Sequence, residues 1–104
     1  MTKRPRSERR EQARSAEKLV RDRRRLFSLE PGGTVEHPIE VTSASVIETH
    51  GRSLECARCG PHLRIVDQSA RVLGGLVRRE LRLQCSRCGE HRVAHYAVVA
   101  PLPQ

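Results

Sequence analysis

Cys56-Ala57-Arg58-Cys59-Gly60-Pro61-His62 and, further along, Cys85-Ser86-Arg87-Cys88-Gly89-Glu90-His91 decide how this chain folds, because these two copies of one phrase hold all of its cysteines. A C-x-x-C pair sets two thiolates on one tight turn, and a tetrahedral ion with sulfur at about 2.3 Å needs two such turns facing each other. Each pair is followed by glycine, which can take the backbone conformation that lets the turn's amides point at the sulfurs. The reading is one structural Zn2+ held by Cys56, Cys59, Cys85 and Cys88, with disulfides or free thiols as the alternatives. A closed shell of four thiolates leaves no coordination position for a reactive water. No Ser/His/Asp grouping or glycine-rich phosphate loop stands out, so the expectation is a protein that is not an enzyme and has no small-molecule substrate.

Working outward, the 104 residues are only 37% hydrophobic, and the aromatics are one Phe and one Tyr. Such a chain has a thin core, and small domains of this kind usually need a staple. Metal binding coupled to folding can contribute about 10–16 kcal/mol of apparent free energy. The start, Met1-Thr2-Lys3-Arg4-Pro5-Arg6, has no apolar run of a signal peptide, and no later stretch approaches the roughly 20 apolar residues of a membrane span. The expectation is a cytoplasmic protein without a membrane partner, in a reducing compartment that suits metal thiolates.

Charge divides the chain. Residues 1–25 carry eleven Lys/Arg against four Asp/Glu, a net of +7, and the remainder nine against eight, a net of +1, which together make the total of +8. Four thiolates around a divalent ion would add −4 and +2, leaving nearly all the positive potential on the N-terminal arm. Arg4, Arg6, Arg9, Arg10, Arg14, Lys18, Arg21, Arg23, Arg24 and Arg25 are therefore the candidate nucleic-acid-binding residues. Clustered cations displace counterions from a phosphate backbone without reading sequence. They are read as distributed all round a helix, which suits phosphate tracking or an RNA groove. The scarcity of aromatics argues against a stacking platform for single strands. The competing reading is a solvated arm whose Glu/Arg pairs merely stabilise it.

Four regions follow: a basic helical arm (1–30), a linker or edge strand (31–53), a metal-built module (54–100) and a short tail (101–104). Residues 7 to about 29 lack Gly and Pro and read as a helix, with Ser7 able to cap it. Glu8 and Glu11 near the start and Arg23 to Arg25 near the end complement the helix dipole. Ala13, Ala16, Val20 and Phe27, with Leu19 and Leu26 alongside, form a narrow apolar stripe that Arg23 interrupts. Pro31-Gly32-Gly33 ends the helix. The β-branched run Val41-Thr42-Ser43-Ala44-Ser45-Val46-Ile47 reads as an edge strand or extended connector closed by His50-Gly51.

The sharpest expectation concerns Gly74-Gly75. If these form a two-residue hairpin turn, Leu73 faces Leu76 and facing residue numbers sum to 149. One face then carries Val66, Gln68, Ala70, Val72, Val77, Arg79, Leu81 and Leu83. The other sets Asp67 opposite Arg82, Ser69 opposite Glu80 and Arg71 opposite Arg78. A one-residue slip would spoil both patterns. The same register puts Cys85 and Cys88 opposite Arg64 and Pro61, near Cys56 and Cys59. Val93 to Val99 supplies a third strand, and Pro101 and Pro103 end the ordered chain.

C-x-x-C-G, an intervening hairpin, a second C-x-x-C-G and a further strand together resemble the zinc ribbon family over about residues 54–100. The resemblance implies a three-stranded antiparallel sheet after the basic helix, a small α+β protein overall, with the metal-ligand role on the four cysteines. It transfers no function. The inter-knuckle length is similar to that of transcript-cleavage factors, but the tip Arg71-Val72-Leu73-Gly74-Gly75-Leu76-Val77-Arg78 lacks their acidic pair. Rubredoxins share two such knuckles around iron but surround it with aromatics, of which this segment has only Tyr96.

His62 and His91 follow their knuckles at equal offset and are read as solvated or supporting groups, since four thiolates already complete the shell. Arg58 and Arg87 either offset the charge of the site or point to solvent. The sequence thus points to a zinc-binding module whose basic arm meets DNA or RNA. An adaptor that meets a protein partner through the hairpin or the Leu19/Val20/Leu26/Phe27 stripe is the alternative, and a thiol redox sensor that releases its zinc is a third reading.

Overall fold

The computed structural model describes residues 6–99, so Arg4, Pro101 and Pro103 lie outside the described residues. Helix α1 spans Arg6–Leu29, strand β1 Ile39–Val41, helix α2 Ser45–Arg52, and strands β2 Leu63–Leu73, β3 Leu76–Cys85 and β4 His91–Val98. The sheet has four strands in the order β1-β4-β3-β2. β2, β3 and β4 are antiparallel neighbours, but β1 runs parallel to β4, with Ile39 beside Tyr96 and Val41 beside Val98. The small α+β class holds. The three-stranded antiparallel sheet is corrected to a four-stranded mixed one, because a short segment before α2 closes the free edge of β4.

The hairpin forms as its turn chemistry demands. Gly74 and Gly75 have φ of 60° and 79°, the pair of left-handed residues that a two-residue turn needs. From Leu73↔Leu76 to Asp67↔Arg82 the partners keep the expected register, and then a bulge intervenes between Ile65 and Asp67. Val66 is the extra residue and is 44% exposed, so it leaves the buried face to Ile65, which pairs with Leu83. Consequently Cys85 faces Leu63 rather than Arg64.

The run expected as an extended strand divides instead. Only Val41 belongs to β1, and Ser45–Arg52 is helical. The Ser43 hydroxyl accepts the Ser45 amide at 3.2 Å, and the Val46 and Ile47 amides reach the Ser43 and Ala44 carbonyls, so the chain turns into a helix at its serines. Ile47 and Gly51, four residues apart, then face inward and are both buried, while Val46 is exposed. Packing of this face overrides the strand preference of Val46 and Ile47.

Ile47, Leu81, Leu83, Ala94 and Tyr96 make the core between α2 and the sheet, with Ile39, Val41, Leu54, Leu63, Ile65 and Val98 packed around them. The Tyr96 hydroxyl is satisfied by His50 Nδ1 at 2.7 Å, the rings meeting edge to face. Helix α1 stands apart from this core: Val20 is its one buried side chain. Ser7 lies inside the helix and is not its cap, and no basic residue occupies the last turn, which falls beyond Arg25. Gly32, at φ 88°, ends the run as the Pro-Gly-Gly sequence requires, and its carbonyl accepts the His95 amide. Among the described residues no helix is long and apolar enough to cross a membrane.

Candidate metal centre and basic ridge

The two cysteine turns repeat one backbone geometry. In the first, the Gly60 amide donates to the Cys56 carbonyl at 3.0 Å and the Arg58 amide to Cys56 Sγ at 3.4 Å. In the second, the Gly89 amide donates to the Cys85 carbonyl at 3.0 Å and the Arg87 amide to Cys85 Sγ at 3.4 Å. Gly60 and Gly89 take φ of 82° and 79°, the left-handed turn that only glycine adopts without strain. The Ser86 amide donates to the His62 carbonyl at 2.9 Å and joins one turn to the other.

The result is a cluster of four sulfurs all within 4.8 Å of one another. None of the cysteines is disulfide-bonded, and Cys56 Sγ lies 3.6 Å from Cys88 Sγ. A tetrahedron with metal–sulfur bonds of about 2.3 Å has edges of about 3.8 Å, so this donor set fits one zinc-sized ion. Burial pushes the Cys59 thiol up to about 12, and the Cys56 thiol also rises through burial. The Cys88 and Arg87 amides hold Cys85 down at about 7. Four sulfurs this close cannot all carry charge unless a cation replaces their protons, which is the role of a divalent ion. Cys56 and Cys85 are buried and Cys88 is exposed. His62 and His91 do not join the cluster.

Helix α1 crosses this centre. Glu17 accepts two hydrogen bonds from the Arg58 guanidinium, at 2.7 and 3.2 Å, from inside the first turn. Arg23 Nη1 donates to the Ala57 carbonyl at 3.2 Å, and Arg24 pairs with Glu90. The other carboxylate oxygen of Glu90 lies 4.0 Å from Cys56 Sγ. Further along, Arg92 stacks over Phe27, its guanidinium carbon 3.8 Å from the ring centroid, and approaches Glu30 at 3.6 Å. Glu17, Arg58, Glu90 and Arg92 were not singled out as one group by the sequence. Its only signal was an arginine inside each C-x-R-C turn. Both arginines are exposed, but Arg58 is engaged with Glu17, whereas Arg87 makes no salt bridge with a described residue.

Docking sorts the basic residues of the arm. Arg23 and Arg24 turn toward the cysteine turns. Arg10, Arg14, Lys18, Arg21 and Arg25, at steps of four, four, three and four residues, share one exposed face. They span an arc of about 80° and a length of about 23 Å along the helix. None of these five makes a salt bridge with a described residue; Glu17, four residues before Arg21, is engaged with Arg58. Arg6 and Arg9, also exposed, lie off this ridge. The expected distribution all round the helix is thus replaced by a directed one. The apolar stripe separates as well: Val20 is buried, between Glu17 and Arg23 along the helix, and Phe27 lies under Arg92, whereas Leu19 and Leu26 remain 50% and 58% exposed.

No protein-family model matches the chain, and comparison with curated proteins and with solved structures finds no match.

Proposed function

We propose that this is a non-enzymatic module in which the four cysteines hold one structural Zn2+ in the manner of a zinc ribbon, while the basic helix docks on DNA or RNA. When bound, the ion supplies a rigid link between two turns that have little apolar packing of their own. The chain's residues do the rest: the Arg58 and Arg87 amides orient sulfurs, Glu17 and Glu90 hold the helix against the turns, and the ridge faces outward. The observation that carries the nucleic-acid reading is the exposed line of Arg10, Arg14, Lys18, Arg21 and Arg25 along one face of α1, none of which makes a salt bridge with a described residue. A row of fixed cations attracts a polyanion over a distance and binds it without choosing sequence.

Fluorescence anisotropy of the metal-loaded protein with labelled duplex DNA and RNA tests this. If the five ridge cations neutralise five phosphates of B-DNA, log K falls against log salt with a slope of about −4 to −5, a loss of roughly 500-fold between 50 and 200 mM salt. Absence of binding to either duplex at low salt overturns the reading. A second reading, an adaptor for a protein partner, is favoured by the exposure of Leu19, Leu26 and Leu29, the last 71% exposed. It predicts a partner that stays bound after nuclease treatment and is lost in Leu26→Asp.

A further inference from the structure

We propose that helix α1 is an outer part of the metal centre, so that docking of the helix and affinity for the ion are coupled; this rests on the reading that the four cysteines hold one ion. The contacts of α1 and of Glu30 just beyond it converge on a small region. Glu17 and Arg23 reach Arg58 and Ala57 of the first turn, and Arg24, Phe27 and Glu30 reach Glu90 and Arg92 just after the second. Two of these partners themselves touch the sulfurs. The Arg58 amide donates to Cys56 Sγ, and Glu90 lies beside the same atom. The helix therefore grips the residues whose placement depends on the two turns being closed together.

That grip is weak without the closed turns. Val20 is the one buried side chain of α1, and the ion pairs are at the surface, Glu17 being 55% and Arg24 48% exposed. Exposed pairs contribute little unless their partners are already held in place. An ion that fixes both turns fixes Arg58 and Glu90 at once and presents a complete docking face. By linkage, whatever factor the ion adds to docking, docking adds to binding of the ion. Groups that hold the supports of a metal ligand commonly matter to affinity for the same reason. Glu17 and Val20 are then positioning residues for the metal, and metal loss frees the helix and the ridge it carries from their fixed orientation.

The test is competition for Zn2+ between the full chain and a chromophoric chelator. Val20→Asp and Glu17→Arg should each weaken Zn2+ binding by about fivefold or more, the lower end of typical coupling. Val20→Ile, which keeps an apolar side chain at the buried position, and Ser15→Asp on the outward face should bind as the parent does. Amide spectra of the loaded variants should leave Leu81, Leu83 and Tyr96 unmoved while shifting Ala57, Arg58 and Glu90. Should Val20→Asp fail to fold, Glu17→Arg, at an exposed position, decides the matter alone. Parent and variant binding Zn2+ equally tightly overturns the coupling and leaves the metal reading intact. A parent chain that binds no Zn2+ overturns the metal reading and this one with it.

Discussion

Gly51 of α2 sits directly over Leu81 of β3: a Cβ at position 51 would run into the Leu81 Cδ2 methyl. Leu81 is fully buried and cannot swing aside without disturbing Leu83 and Tyr96. The glycine is therefore a packing requirement, in a helix where its backbone freedom is a cost of roughly 1 kcal/mol relative to alanine.

Gly51→Ala should accordingly destabilise the metal-loaded protein even though alanine is the better helix former. Overpacking a filled core costs about 1–3 kcal/mol, which exceeds the propensity gain over most of that range. Denaturant midpoints of parent and variant check this. Equal or higher stability in the variant would mean that α2 does not press on the sheet as described.

Removing the metal should melt the sheet. An apparent contribution of about 10–16 kcal/mol is comparable to or larger than the whole stability of a small domain, about 5–15 kcal/mol. Chelation of the full chain should abolish its β-sheet circular dichroism, metal analysis should give one Zn2+ per chain, and Cys56→Ser should behave like chelated parent. Binding displaces protons, since Cys59 near 12 holds its proton at neutral pH, so affinity should climb as pH rises.

Tyr96, the only tyrosine, gives a clean alkaline signal. Burial raises it from 10.0 to about 12 in the folded chain. Between these values the unfolded chain has released the proton that the folded chain still holds. The contribution of Tyr96 to stability is therefore complete below pH 10 and is lost as pH rises toward 12. Phenolate absorbance in the near ultraviolet should stay absent in the folded protein through about pH 10 and emerge together with unfolding. A phenolate signal with midpoint near 10 in folded protein would contradict the burial.

The ridge makes a differential prediction. Arg14→Ala should reduce the steepness of the salt dependence for duplex DNA by about one unit, as removal of a single phosphate contact does. Arg23→Ala should leave that steepness unchanged, because its side chain faces the Ala57 carbonyl. Titrations of both variants across a salt series distinguish a directed surface from diffuse attraction by the arm as a whole.

By itself the sequence determined what depends on neighbours in the chain. Two C-x-x-C-G turns, a Gly-Gly hairpin and an Arg-rich stretch without Gly or Pro encode their local geometry directly, and they appear where their residues place them. Tertiary structure alone decided the rest. The β-branched pair Val46-Ile47 favours a strand; the Ser43 turn allows a helix to start there, and the fit of Ile47 and Gly51 over Leu81 makes the choice. The bulge at Val66 arises where the hairpin must meet both its Gly-Gly turn and the inward-facing Leu83. The sorting of arginines into an anchored pair and an outward ridge followed from Glu17, Arg58 and Glu90 meeting across more than forty residues of chain. Pairings between distant charges leave no periodic trace, because each is set by where the folded backbone brings it and not by its spacing.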